Sequence, residues 1–235
     1  MKLSIIIPIF NEDRTIEKIL KLVKGIKLPK NLKKEIVVVD DASSDKTPQI
    51  LKEFGETIKI IRHNRNLGKG AAVRTGIQNA TGDIFIIQDA DLEYDPKDYL
   101  KLLEPILKNK TEVVYGTRLK NYPLKFWGKD KTVLPTHLIA NRFLTALTNI
   151  LYFTNLTDME TCYKVFTKKV INNIMLKSNR FDIEPELTAK ILKRGFKIIE
   201  IPIITHPRTY NEGKKIEMKD GIIAIWTLIK YRFVN

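Results

Sequence analysis

The 235 residues are 43% hydrophobic, enough to bury a sizeable core, and 41 basic against 27 acidic side chains give a formal charge of +14. A single cysteine, Cys162, excludes an internal disulfide and suits a reducing compartment. No secretory leader opens the chain, and the longest late apolar stretch, Ile222 to Ile229, falls far short of the ~20 residues of a membrane span, so a cytosolic or peripheral protein with anionic partners is expected.

Leu3 to Phe10 is a continuous apolar run closed by a proline-containing turn. Glu12 to Ile26 follows with helical spacing, placing Ile16, Ile19, Leu20 and Val23 on one face. Glu35 to Val39 reads as a second buried strand, Asp45 to Phe54 as a helix capped by Ser44 or Asp45, and Ile58 to Arg62 as a strand. Gly68 to Ala80 is a helix rich in small residues, and Ile84 to Gln88 is a strand. Short apolar strands alternating with helices predict a mostly parallel sheet covered on both faces. Ligands of such sheets sit beyond the carboxyl ends of the strands. Those ends here carry Pro8 to Glu12, Asp40-Asp41 and Asp89-Ala90-Asp91.

The second half is less regular. Val113 to Tyr115 reads as a strand ending in Gly116-Thr117-Arg118, and Leu119 to Pro135 as a basic, aromatic loop. Long loops in compact domains are often functional. Helices are expected over Thr136 to Tyr152 and Glu184 to Arg194. Pro202 marks Ile198 to Ile204 as an edge strand. Met218 to Phe233 is an amphipathic helix with Ile222, Ile225, Trp226, Ile229 and Phe233 on one face, flanked by Lys219, Lys230 and Arg232. Such a helix either lies in a membrane interface or packs on the domain.

Asp89 and Asp91 at a strand end, with Glu93 two residues on, are hard oxygen donors for a divalent cation that would neutralise a diphosphate. Asp40 or Asp41 is available to a nucleobase or ribose. Asn66-Leu67-Gly68-Lys69-Gly70 matches neither the Walker nor the dinucleotide pattern, leaving a glycine-rich helix start with Lys69 near the phosphates, or close packing of a helix on the sheet.

Taken together, these segments resemble glycosyltransferase family 2, which has a GT-A fold. Ile5 to Glu12, Val38 to Asp45, and Asn66 through Asp83 to Asp91 are similar to its ordered motifs. The second half resembles more narrowly the dolichyl- and polyprenyl-phosphate glycosyltransferases, in Gly116-Thr117-Arg118, Asp158 to Lys164, Phe181 to Gly195, and Pro207 to Lys214. The resemblance implies one α/β catalytic domain over residues 1–217, followed by the amphipathic helix over 218–235. It implies that Pro8, Phe10, Glu12 and Asp40, with Asp41 beside it, hold the base and ribose, and that Arg208 and Lys214 neutralise the donor diphosphate. Asp89, Asp91 and Glu93 would hold Mg²⁺ or Mn²⁺. Arg118 would grip an acceptor phosphate, with Lys129 and Lys131 where relatives carry a second arginine.

The implied reaction is an inverting displacement that moves a hexose from a UDP-glucose- or GDP-mannose-type donor to a polyprenyl or dolichyl phosphate, at the cytoplasmic face of a membrane. A phosphate acceptor is largely ionised at neutral pH and needs no general base. The alternative is a soluble transferase acting on a sugar hydroxyl, for which Asp158 is the candidate base. A nucleic-acid partner is not expected, because no interleaved aromatic motif accompanies the basic charge.

Overall fold

The computed structural model describes residues 1–119, 135–172, 174–208, 215 and 217–234. The first apolar run forms β1 (Lys2–Ile9), every residue of which is buried from Leu3 on. A strand buried on both faces belongs at the centre of a parallel sheet, and fully burying each Ile or Leu is worth roughly 1.5–3 kcal/mol. Helix α1 (Ile16–Gly25) buries Ile16, Ile19, Leu20 and Val23, the face its spacing predicted. There follow β2 (Lys33–Asp40), α2 (Thr47–Glu53), β3 (Lys59–Arg62), α3 (Lys69–Asn79) and β4 (Ile84–Ile87). The rest comprises α4 (Tyr99–Leu107), β5 (Val113–Thr117), α5 (Pro135–Tyr152), β6 (Lys164–Thr167), α6 (Lys168–Ile171), α7 (Ile183–Lys193), β7 (Ile198–Pro202) and α8 (Met218–Phe233).

The seven strands form one sheet in the order β3-β2-β1-β4-β6-β5-β7. Pairings are parallel except at β6, which runs antiparallel to both β4 and β5. The α/β architecture is therefore the expected one, with β7 at an edge as Pro202 required. Strand β6 was not legible in the sequence. It has only four residues and begins at Lys164, a charged residue that the fold buries completely. Its reversal has a geometric result. The residues leading into β6 arrive at the same rim as the residues leaving β4 and β5, so Gly116 N–H donates to Tyr163 O.

Helix α8 lies across α5 and α7. It turns Asp220, Ala224, Thr227, Leu228 and Tyr231 inward. Its predicted apolar face is largely outward: Ile222, Trp226 and Phe233 are 68%, 64% and 79% exposed. Among the described residues, no helix is long and apolar enough to cross a membrane.

Candidate active site

Three loops at the strand ends interlock before any ligand is considered. Asn11 N–H donates to Ser43 Oγ and Asn11 Oδ1 accepts from Ser44 N–H, tying the loop after β1 to the loop after β2. Glu12 N–H donates to Thr47 Oγ1 at 3.0 Å. Asn11, Ala42 and Leu92 adopt left-handed backbone conformations, with φ of 52°, 62° and 65°. For alanine and leucine this is a strained choice, and such residues gather at functional sites.

The loops enclose a cleft of about 360 Å³. Pro8, Phe10, Glu12, Asp41, Lys69, Asp89, Asp91, Glu93, Arg118 and Arg208 all line it. Asp40 and Asp158 lie behind the wall, essentially without exposure. Lys129, Lys131 and Lys214 are outside the described residues.

The acids at the end of β4 are matched by cations from elsewhere in the chain. Lys69 Nζ lies 2.9 Å from Asp89 Oδ1 and 3.2 Å from Glu184 Oε1. Burial alone would lower the Lys69 ammonium, but Asp89 and Glu184 outweigh it and hold it well above the ordinary lysine value. Arg208 Nη2 lies 2.8 Å from Asp91 Oδ2, with Glu12 and Glu93 oxygens at 3.4 and 3.6 Å from its other nitrogens. The segment after β7 delivers this arginine by pairing Thr205 with Tyr94 and donating His206 N–H to Glu93 O. Lys215, beside the anticipated Lys214, reaches Glu12 at 2.8 Å.

Burial, then the charges of Asp89 and Glu93, push the Asp91 carboxyl up to about 7 despite Arg208. This wall has more negative charge than it can hold comfortably, and its donors are carboxylate oxygens, which suit Mg²⁺ or Mn²⁺. Asp89, Asp91 and Glu93 fit such an ion in chemistry. They are not gathered around one point, however. Among the described residues no three carboxylate, histidine or cysteine side chains converge as ligands. The reason is visible: Asp89 faces Lys69 and Asp91 faces Arg208.

Asp41 is already engaged. Its oxygens accept from Leu67 N–H at 2.9 Å and Gly68 N–H at 2.7 Å, and His63 Nδ1 lies 2.7 Å away. Asp40 Oδ1 accepts from Ser43 N–H, while Oδ2 lies 3.5 Å from Arg62 Nε. The glycines at the start of α3 serve close backbone packing. A Cβ on Gly70 would stand 2.6 Å from Ser178 O and 2.8 Å from Arg180 O. Ala71 N–H is taken by Asn179 O, so this helix start is already occupied.

Arg118, which also lines the cleft, forks onto Asp158. Nε donates to Oδ2 and Nη2 to Oδ1, both at 2.7 Å, and the Arg118 backbone N–H adds a third bond at 2.9 Å. Such a bidentate pair fixes a guanidinium plane. With both oxygens committed and no exposure, Asp158 orients Arg118 and does not stand as a free base. Sequence reasoning missed Glu160, which lines the cleft two residues further on. It also missed Lys164, which donates to Met159 O and Thr161 O and pairs with Glu184 at 2.6 Å. The alternating acids in Asp158 to Lys164 were a usable signal for Glu160. A fully buried lysine gives none.

The sequence model for glycosyl transferase family 2 matches residues 4–175. The chain is 30% identical to the dolichol-phosphate mannosyltransferase of Pyrococcus furiosus, over 91% of this chain and 59% of that protein. It is 28% identical to the UDP-N-acetylglucosamine–dolichyl-phosphate N-acetylglucosaminyltransferase of Methanococcus voltae, over 96% of this chain and 94% of that one. The fold is similar to that of glucosyl-3-phosphoglycerate synthase from Mycobacterium tuberculosis, solved with Mn²⁺, UDP and phosphoglyceric acid. That likeness has a TM-score of 0.74 at 19% identity and covers 100% of this chain and 79% of that one.

Proposed function

The chain belongs to glycosyltransferase family 2, and from that premise we propose that it moves a hexose from a nucleotide sugar to a polyprenyl or dolichyl phosphate at a membrane surface. The observation that carries the reading is the polarity of the cleft. The cleft concentrates acids against Arg208 and Lys69, and Arg118 lines it in a fixed plane. The acid cluster with its cations suits a cation-bound diphosphate, and Arg118 an anionic acceptor. The names of the two dolichyl-phosphate relatives favour the same acceptor class.

In this reading Pro8, Phe10 and Glu12 border the nucleoside, while Asp40 and Asp41 set the shape of its loop. Asp89, Asp91 and Glu93 would hold Mg²⁺ or Mn²⁺, which supplies charge to offset the leaving diphosphate. Arg208, and Lys214 outside the described residues, would transfer their charge from the acids to the diphosphate. Arg118, held by Asp158, orients the acceptor phosphate, with Lys129 and Lys131 as further contacts. A phosphate monoester with a second pKa near 6 attacks without a general base.

A bilayer is the proposed docking partner. Exposed Ile139, Phe143, Ile150 and Phe153, at α5 and its carboxyl end, join Ile222, Trp226, Ile229 and Phe233 on α8. Lys219, Lys230 and Arg232 on α8 supply charge for anionic headgroups. The second reading, transfer to a sugar hydroxyl, is favoured by one observation: Glu160, an acid not committed to Arg118, is among the residues lining the cleft.

The test is a product assay with labelled UDP-glucose, UDP-N-acetylglucosamine or GDP-mannose, Mg²⁺ or Mn²⁺, and a short polyprenyl phosphate. Label is expected in the lipid phase with wild type and not with Asp91→Ala or Arg118→Ala. Metal-dependent donor binding without lipid product would overturn the acceptor assignment.

A further inference from the structure

Glu160 stands in the cleft wall beside the acceptor-facing pair Arg118–Asp158, and the mechanism above does not use it. Its Oε1 is buried and has no hydrogen-bond partner in the protein. Leaving such an atom unsatisfied is costly, so a partner for this carboxyl is expected when the cleft is filled. The charged groups facing it come from four places. They are Arg118 at the end of β5, Asp158 in its own loop, Lys164 on β6 and Glu184 on α7. Each is already committed: Arg118 to Asp158, and Lys164 to Glu184. Both cations therefore have nearer carboxylate partners than Glu160.

We propose that Glu160 is an acceptor-binding residue that, in its neutral acid form, donates a hydrogen bond to a non-attacking oxygen of the acceptor phosphate. The inference rests on the lipid-phosphate reading above. Burial lifts the Glu160 carboxyl to about 7, with Lys164 drawing it down, Glu184 pushing it up, and Arg118 and Asp158 adding smaller opposite effects. A carboxyl in that range is a donor on the acid side of neutrality and a repelling anion on the alkaline side. Arg118 then supplies the permanent positive charge and Glu160 a pH-gated contact on the same wall.

The test measures acceptor KM for a short polyprenyl phosphate at saturating donor, from about pH 6 to about pH 8.5, starting near the acceptor's own second pKa of about 6. Wild type, Glu160→Gln and Glu160→Ala are compared, so ionisation of the acceptor cancels. Wild-type KM is expected to rise roughly tenfold or more on crossing neutrality, the value of one hydrogen bond to a charged group. Glu160→Gln, a permanent neutral donor, loses that step, and Glu160→Ala has a high KM throughout. Superimposable profiles for wild type and Glu160→Gln overturn the inference. So does a Glu160→Gln variant that binds donor normally by calorimetry but no longer transfers, which would make Glu160 a base. Failure of wild type to use polyprenyl phosphate at any pH, with donor still bound, would instead be failure of the acceptor reading itself.

Discussion

At the scale of single residues, buried carboxylates define both the site and the stability of the ground beneath it. Glu186 has no exposure and accepts from Lys177 N–H, Ser178 N–H and Lys190 Nζ, the last at 2.5 Å. Burial raises its carboxyl, but Lys190 and the two backbone donors outweigh burial and hold it below the usual range. A folded-state value below the unfolded one contributes stability above the unfolded value and loses it as pH falls through the folded one. Glu186→Gln is therefore expected to cost about 2–4 kcal/mol near neutral pH, as for a broken buried charge network. The gap to wild type should narrow at an acid pH below the usual glutamate range, as pH falls through the lowered folded-state value. Denaturant unfolding of both proteins at the two pH values measures this. Legibility at this scale depended on whether a side chain's partners were visible. Asp89, Asp91 and Arg118 announced themselves by position at strand ends. The commitment of Asp158 to Arg118 did not, because 40 residues separate them.

Elements were legible where one period dominated. Helix α1 and strands β1, β2 and β4 show unbroken apolar faces, so their places followed from spacing. Strand β6 did not, because a buried ion pair occupies the position where its pattern should begin. The start of α3 admitted two explanations, phosphate cradle or close packing, and the 178–180 backbone decides for packing. Gly70→Ala must push its Cβ into two carbonyl oxygens of that segment, neither of which is a flexible side-chain tip. Overpacking of this kind typically costs about 1–3 kcal/mol. A lowered thermal midpoint is expected, with weaker donor binding, because Lys69 and Glu184 meet across the same contact. Calorimetric melting with and without nucleotide would show both effects.

For the whole molecule, the surface is divided between a cleft at the strand ends and an apolar band over α5 and α8. Trp226 is well exposed, so Trp226→Ala should leave folding stability within about 0.5 kcal/mol. The same change is expected to reduce co-sedimentation with anionic lipid vesicles severalfold, and Ile222→Ser combined with it further still. Unchanged vesicle binding would remove the bilayer as partner for this band. The amphipathy of α8 was plain from its sequence, but its orientation was not. Ala224, Thr227, Leu228 and Tyr231 pack inward while Ile222, Trp226 and Phe233 face out, a choice of face that spacing cannot reveal. The reversed strand β6 carries a further consequence. Four parallel strands, β3-β2-β1-β4, carry the loops that bear Glu12, Asp41, Asp89 and Asp91, and the reversed strand brings the 158–162 loop to the same rim. The loops of the cleft therefore hang from two separately hydrogen-bonded parts of one sheet. On the proposed reading, a substitution between β5 and β6 is expected to alter acceptor use without disturbing the register of the four parallel strands.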